Sequence, residues 1–589
     1  MRHSVLLGSV LAGLLALSGL GCSNGGRAEA TSEAAAVAAA DDDLPSTAEE
    51  ISGEIAVDLR DDLSEADLSA MKSAYGLRPN SSWSDDHDKL EVARVPPAEE
   101  ALVLERLAAD SRVEHVERMA VLRASFVPND PFYEQQWHLQ RVGAEQAWEY
   151  ACGEGVTVAV VDTGIACFDK GPFSRGSDLS GTRCEGGYNF VSDSAEAYDD
   201  QGHGTHVAGT VAQTTNNGKG VAGLAYCARL MPVKVLNRYG WGTLANVAEG
   251  IRYAADHGAD VINLSLGGSS KSRILEDAVD HALSKGVVVV AAAGNSGRAV
   301  GYPAAYEGVI AVSATDSNDK IAWFSSRGPQ IAIAAPGVNV VQQTVCEGGR
   351  NKCELFGTFS GTSMASPHVA GAAAMLVGLG TLGPEAVREA LSAGAAPKDE
   401  AALYGAGVLR ASASALRVFW THFALRLFAL LVLGGAVIRR IRKRGGAFLS
   451  RGSSWGWAGE GALLGAVGLL PLLPLAHLAS RFGDHRWLAE LAMRPLGEWD
   501  VVFRAGLHRW LPLANALPVL VGTAFFFGVK RVRPFLGGFA LGSAALLAQM
   551  VWTGDVATPF GSLLTRLWLL ANLSVCVWIA RIALDRKRA

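Results

Sequence analysis

Acidic residues almost vanish from the C-terminal part of the chain. From Val418 to the end, seven Asp and Glu stand against twenty Lys and Arg, whereas the 589 residues together carry a formal charge of −6. The stretch before Val418 therefore carries about −19, and no nucleic acid is expected as its partner. A chain this long exceeds one ordinary core, and its 49% hydrophobic content is unevenly spread, so domains of different solvent preference are expected.

Leucine is missing where one targeting pattern needs it. The start "MRHSVLLGSVLAGLLALSGLGCSNGG" has a short basic end, an apolar run and small residues before Cys22, which reads as an export signal over 1–22. A bacterial lipoprotein signal usually has Leu where Gly19 stands, so lipidation of Cys22 and plain cleavage both remain open. Cysteine is scarce as well, eight in all, and six of them fall between Cys152 and Cys353. An even number in an exported region favours disulfides, although six cysteines permit fifteen pairings and the sequence does not choose. The pairs read here are Cys346 with Cys353 and Cys167 with Cys184, close neighbours in loop-like stretches, which leaves Cys152 with Cys227.

Residues 23–50, Ala-rich and then acidic, lack the varied apolar content a core needs and read as a disordered tether. From 51 to 124 the periodicity predicts strand, helix, strand, helix, strand: a small α+β unit. Between 125 and 416, apolar strands such as "VTVAVVD", "LMPVKVL" and "GVVVVAAAGN" alternate with helical stretches and Gly-rich turns. Runs this apolar with helices between them predict an α/β fold, a parallel sheet covered on both faces, with active residues at the carboxyl ends of strands. The remainder, 417–589, holds apolar segments near 418–438, 461–479, 511–529, 535–552 and 563–583, and five membrane helices are the simplest count. Basic clusters follow the first, third and fifth segments, which by the positive-inside rule puts those ends in the cytoplasm and the domain before Val418 outside.

Three motifs carry chemistry: "VAVVDTG" with Asp162, "DDQGHGTHVAGT" with His203 and "SGTSMASPHVAG" with Ser363. A serine hydroxyl becomes a nucleophile when an imidazole takes its proton, and the imidazole needs a carboxylate on its other nitrogen. Asn295 in "AAAGNSG" would supply a donor to the oxyanion of the tetrahedral intermediate. Separately, Asp162 could cap a turn, His203 and His206 could form a metal pair, and Ser363 could cap a helix; the conjunction of the three motifs outweighs those readings. His206 and His368 are read as structural.

With its Asp, His, Asn, Ser order and the motifs "DTG", "GHGTHVAGT", "SLGG", "AAGN" and "GTSMASPHVAG", the chain resembles the subtilisin-like serine peptidases over about residues 128–416. The resemblance implies a serine endopeptidase of subtilisin-like fold, without organic cofactor, acting on protein or peptide substrates. It implies that Ser265, Leu266 and Gly267 bind substrate as an added strand, and that Ala292, Ala293, Gly294 and Gly301 shape a pocket for an aromatic or Leu side chain. It also implies a structural calcium held by Gln136, Asp178, Thr215, Asn217, Lys219 and Val221. Residues 51–124 resemble the family's propeptides, which inhibit their own protease, with a self-cleavage segment at "LRASFVPND".

No intramembrane catalytic motif and nothing resembling a pore is evident after Leu416, so anchoring in the lipid of the cytoplasmic (inner) membrane is the expected role, with the catalytic domain periplasmic or extracellular. Arg426, Arg566, Glu460, His422 and His477 lie in or beside apolar runs, and snorkelling toward the interface is expected for most of them. A membrane sensor that binds peptides without cutting, or a transporter gated by the outer domain, are the rival readings.

Overall fold

The computed structural model describes residues 49–81, 89–121, 126–169, 171, 173–345, 355–381, 383–448, 453–468, 494–499, 515–554, 556 and 562–585. Two compact units divide the chain, Met1–Ala124 and Ser125–Ala589.

The first unit runs β1 (Glu49–Leu59), α1 (Glu65–Tyr75), β2 (Arg78–Pro79), β3 (Leu90–Arg94), α2 (Glu100–Ala108) and β4 (Val113–Val121). Its sheet is antiparallel in the order β2-β3-β1-β4. Alternate residues of β1, Ile55, Val57 and Leu59, are buried with Leu68 and Met71 of α1 and Leu107 of α2, as period-two patterning requires of a half-covered sheet. Helix α1 starts where the Ser64 hydroxyl accepts the Asp67 N–H at 3.2 Å and stops at Gly76, whose φ of 64° favours glycine.

The second unit is built on β5 (Thr157–Asp162), β6 (Tyr188–Asn189), β7 (Arg229–Lys234), β8 (Val261–Leu264), β9 (Val288–Ala292), β10 (Ile310–Thr315) and β11 (Ile331–Pro336). These form a seven-stranded parallel sheet in the order β11-β10-β9-β8-β5-β7-β6. Strands β12 (Val340–Gln343) and β13 (Phe356–Phe359) pair antiparallel beside it. The helices are α3 (Trp137–Arg141), α4 (Ala144–Trp148), α5 (His203–Ala212), α6 (Leu244–Asp256), α7 (Arg273–Ser284), α8 (Thr362–Gly378), α9 (Pro384–Gly394), α10 (Ala401–Tyr404) and α11 (Ala411–Lys443).

Every residue of β5 is buried, and its side chains alternate between two cores. Val158 and Val160 face the core of α5, α8 and α9, whereas Ala159 and Val161 face that of α6 and α7. The sheet covered on both faces is the expected α/β fold. From β5 the chain crosses to β6 at the sheet edge, returns to β7 between them and then passes to β8 and on through β11, so the carboxyl ends of β5 and β8 flank the point where winding reverses, where open sheets leave a crevice.

Two disulfides tie this unit, Cys152–Cys227 with Cα atoms 5.2 Å apart and Cys167–Cys184 with Cα atoms 6.1 Å apart. Both are pairs read from the sequence; Cys346 and Cys353 lie outside the described residues. The β5–β7 pairing explains the first bridge, because Cys227 and Cys152 precede these neighbouring strands and share a backbone hydrogen bond of 2.9 Å.

After α11 come α12 (Ser453–Ala466), α13 (Leu517–Phe526), α14 (Arg533–Thr553) and α15 (Ser562–Leu584). Three of the described helices, α11, α14 and α15, are long and apolar enough to cross a membrane, fewer than the five expected. The 14 residues of α12 and 10 of α13 fall short of the roughly 20 that a bilayer needs; parts of both expected segments lie outside the described residues, as does His477. Helices α12 and α14 interlock through glycines. A methyl on Gly461 or Gly465 would strike the carbonyls of Phe535 or Phe539, and one on Gly538 or Gly542 those of Ala458 or Ala462, a close approach that small residues allow.

The expectation for Arg426 needs correction. It does not snorkel: 1% exposed, it donates to Gln549 Oε1 at 3.0 Å and pairs with Glu498, itself 2% exposed. A countercharge supplied from 72 positions away makes burial tolerable where an isolated guanidinium would seek water. His422 is buried as well, while Arg566 and Glu460 are exposed.

Candidate active site

Asp162 ends β5 and is fully buried. Its Oδ1 accepts the Thr163 N–H at 2.7 Å and the His203 Nδ1–H at 2.8 Å, and its Oδ2 has no hydrogen-bond partner among the described residues. His203 opens α5. Because Nδ1 donates to Asp162, Nε2 carries the lone pair, and the ring is held in the tautomer a proton acceptor needs. Burial alone would push the His203 pKa down, but the charge and hydrogen bond of Asp162, with Asp199 adding to them, outweigh it and hold the pKa above the ordinary value.

Sequence reasoning passed over Asp199, which fastens these two residues together. Its Oδ1 accepts the Thr163 hydroxyl and the Gln201 and Gly202 N–H groups at 2.9–3.0 Å, and its Oδ2 accepts both the N–H and the hydroxyl of Thr205. The end of β5 and the first turn of α5 therefore share one buried carboxylate. Lys234, opposite Asp162 in the β5–β7 register, adds a bond of 2.5 Å to Thr163 O and another of 2.7 Å to Asp200. The one sequence signal was Asp199's place four residues before His203.

Ser363 is the second residue of α8, one place past its first residue, Thr362. The helix cap is Gly361, so the capping role fails for Ser363. Its hydroxyl donates to Ser265 O at 3.1 Å, while the Ser265 hydroxyl donates to Ser363 O at 2.7 Å. Asn295 Oδ1 accepts the N–H and the hydroxyl of Thr362, both at 2.9 Å. With its oxygen anchored to the first residue of the serine helix, the Asn295 side chain keeps its NH₂ for donation, and Asn295 lines the same pocket as Ser363. Thr362 is thus a second residue that sequence reasoning missed.

A cavity of about 290 Å³ is lined by Ser363, Asn295, Leu266, Gly267, Gly294 and Gly301, with Ala292 and Ala293 in its wall. It is continuous through Leu266 and Gly267 with a groove of about 570 Å³ that carries His203, Ser265, Leu236 and Trp241. The structure therefore brings every residue expected to bind substrate to one cleft. A methyl on Gly301 would stand 2.9 Å from Gly268 O, so a side chain there could not be accommodated without moving backbone.

A sequence model described as the subtilase family matches residues 153–407. A thermophilic serine proteinase of Bacillus sp. (strain AK1) is 39% identical over 336 residues, 56% of this chain and 79% of that protein. Thermitase of Thermoactinomyces vulgaris is 44% identical over 257 residues, 43% of this chain and 87% of that protein. The chain belongs to the subtilase family. It is a serine endopeptidase. Among solved structures, a protease from Pseudoalteromonas arctica is similar to it at 33% identity, covering 50% of this chain and 100% of that one, with a TM-score of 0.45.

Three buried histidines of this subtilase, His138, His206 and His368, are neutral and structural. His206 Nε2 is shared between Val340 O and Gly357 O at 3.1 and 3.2 Å, and burial pushes its pKa down to about 3. His368 donates Nδ1–H to Met364 O, so His138 Nδ1–H donates to His368 Nε2 at 2.7 Å; burial lowers both pKa values, that of His368 to about 4.

The donor set expected for calcium gathers only in part. Asp178, fully buried, accepts the Asn217 Nδ2–H at 2.7 Å and the Val221 N–H at 2.9 Å. Burial, with the charge of Asp130 adding to it, raises its pKa to about 6, so a cation would relieve it. Asn217 would need its amide turned by half a revolution to face that cation with oxygen, because Oδ1 now accepts the Lys219 N–H at 2.8 Å. Gln136 fits less well. Its Oε1 accepts the Ala222 N–H at 2.7 Å and its Nε2 donates to Ala222 O at 3.0 Å, a two-sided bond that rotation would turn into repulsion.

Proposed function

We propose that this subtilase hydrolyses peptide bonds through an acyl-enzyme on Ser363, with His203 as base and then acid, Asp162 as orienting carboxylate and Asn295 as oxyanion donor. The observation that carries the reading is the His203–Asp162 hydrogen bond, which puts the proton on Nδ1 and the lone pair on Nε2 of a histidine that lines the groove, with Ser363 in the adjoining pocket. For attack the Ser363 hydroxyl turns from Ser265 O toward His203 Nε2. Proton transfer to Nε2 then makes an imidazolium beside the buried charge of Asp162. The oxyanion meets Asn295 Nδ2 at the N-terminal end of α8, where the helix dipole also favours negative charge.

Substrate lies extended along Ser265, Leu266 and Gly267, with its side chain before the scissile bond in the pocket walled by Ala292, Ala293 and Gly294. Chromogenic peptides varied at that position test the assignment: Phe, Tyr and Leu are turned over fastest, and a preference for Lys, Arg or acidic residues would overturn it. Asn295→Ala is expected to lower kcat by on the order of 10²–10³ with KM little changed, a size first established for the equivalent donor in subtilisin. A kcat within threefold of the parent would mean that the oxyanion is held elsewhere.

Residues 51–124 act as propeptide and inhibitor after an export signal at 1–22 and a tether at 23–50. The catalytic domain spans 125–416, and 417–589 anchors it in the cytoplasmic membrane with the cleft outside. Three span-length helices and the basic run "RRIRKR" ending the first of them support that orientation. Calcium would be held by Asp178, Asn217 and the carbonyls of Thr215, Lys219 and Val221, stabilising the loop that carries them. At a calcium concentration 100 times its Kd, the stabilisation would be about 2.7 kcal/mol. Chelator should accordingly lower Tm by several degrees, and an unchanged Tm would mean that the hydrogen bonds to Asp178 replace the ion.

A further inference from the structure

Helix α11 belongs to two environments. Its first residues, Ala411, Ala415, Val418 and Phe419, lie in the same core as the serine helix α8, and Ala411 N–H is bonded to Val142 O at 2.8 Å. Arg410, just before it, pairs with the buried Asp319 at 2.6 Å. The later residues Val437 and Ile441 belong to the core of the apolar helices α14 and α15. One unbroken helix of 33 residues thus leads from catalytic core to bundle.

A second junction fastens the two. Arg494 donates to Gly378 O, the last residue of α8, at 2.6 Å, and lies 3.8 Å from Glu498. Glu498 pairs with Arg426 in α11, which in turn bonds Gln549 of α14. These four side chains are buried, and they join the C-terminal end of the serine helix to the membrane helices. Ser363 stands at the opposite end of α8, roughly 22 Å away at 1.5 Å per residue.

Arg426 precedes the basic cluster at Arg439 by roughly 20 Å of helix. With that cluster at the inner face of a hydrocarbon layer about 30 Å thick, the polar junction lies at or below the outer face. The cleft is then carried no more than roughly 22 Å above the bilayer by rigid connections.

We infer that this subtilase selects membrane-tethered proteins by the distance of the scissile bond from the bilayer, cutting their extracytoplasmic stalks near the membrane. The inference rests on the proposed anchoring and triad. At about 3.3–3.6 Å per extended residue, a stalk of about seven residues reaches that height. A stalk that falls short of the height the cleft has, which is at most this one, stops below it. A longer one reaches it at falling effective concentration.

The test uses the full chain in liposomes with a single-span helix bearing Gly/Ser stalks of 2, 6, 10, 15 and 40 residues before a peptide that the enzyme cuts when free. Cleavage should be absent at 2 residues, peak between 6 and 15 at about 10²-fold over the free peptide at micromolar concentration, and decline at 40. A 20-residue Gly/Ser insertion between Trp420 and Thr421 should leave free-peptide turnover unchanged and flatten the spacing profile. If that variant fails on free peptide it has lost its fold, and the profile of the parent enzyme decides alone. A parent that cuts free peptide and resists carbonate extraction, yet cleaves all five spacings within threefold, overturns the inference while leaving the proposed function standing. A parent that cuts no peptide, or is extracted by carbonate, overturns the reading beneath it as well.

Discussion

Replacing Ser363 by Ala lowers turnover by on the order of 10⁶, the loss observed in subtilisin when its nucleophile is removed, and leaves the fold intact. The hydroxyl donates one hydrogen bond, to Ser265 O, and the reverse bond from the Ser265 hydroxyl to the Ser363 carbonyl survives the change. Alanine is also the best helix former at a position inside α8. Stability should therefore move by less than about 1 kcal/mol. The measurement pairs a fluorophosphonate probe with intact mass at the junction near residue 125. The parent takes the label and sheds its N-terminal segment, and the variant does neither. Equal labelling of both would assign the reaction to another serine. Labelling of neither, for protein shown to be folded and free of residues 51–124, would leave the motif as structure and bring forward the peptide-binding sensor.

The candidate site was legible because its chemistry sits in contiguous motifs. "GHGTHVAGT" and "GTSMASPHVAG" announce their residues without tertiary information, and glycine is present at 301 because backbone leaves no room for more. What escaped depends on register. Lys234 reaches Thr163 only because β5 and β7 pair in the register that opposes Asp162 to Lys234, and nothing in "LMPVKVL" declares that. Asp199 reads as one more acidic loop residue until the Thr163 and Thr205 hydroxyls are seen to converge on it. Arg426 escaped for a similar reason. Hydropathy weighs a charge against its neighbours in sequence, and the partner that lets this one stay buried is the distant Glu498. The α12–α14 contact was hidden too, since glycines spaced four apart are informative only when a facing helix supplies the carbonyls.

Asp162→Asn should cost on the order of 10⁴ in kcat with KM unchanged, and its pH profile separates an electrostatic role from a merely structural one. The carboxylate is fully buried and lines neither the pocket nor the groove, so substrate affinity has no reason to change. One oxygen, Oδ1, accepts both the Thr163 N–H and the ring Nδ1–H, so an amide with its NH₂ in that place gives up the Thr163 bond and offers a proton to Nδ1 where the carboxylate accepted one. The imidazole then carries its own proton on Nε2, the tautomer that cannot take one from Ser363. The sign of the pH effect follows from the balance at His203. Burial lowers its pKa, and Asp162 is the main influence opposing that, ahead of Asp199. Activity needs the neutral ring, so the parent's acid limb in kcat/KM lies above pH 6.5. Without the Asp162 charge, burial prevails over what Asp199 supplies, and the residual activity loses its acid limb downward, below pH 6.5. His206, Asp200 and Lys234, the other titratable groups near this corner of the cleft, are untouched by the substitution. A loss smaller than tenfold, or an acid limb that stays where it was, would reduce Asp162 to a strand-end residue that happens to touch a histidine.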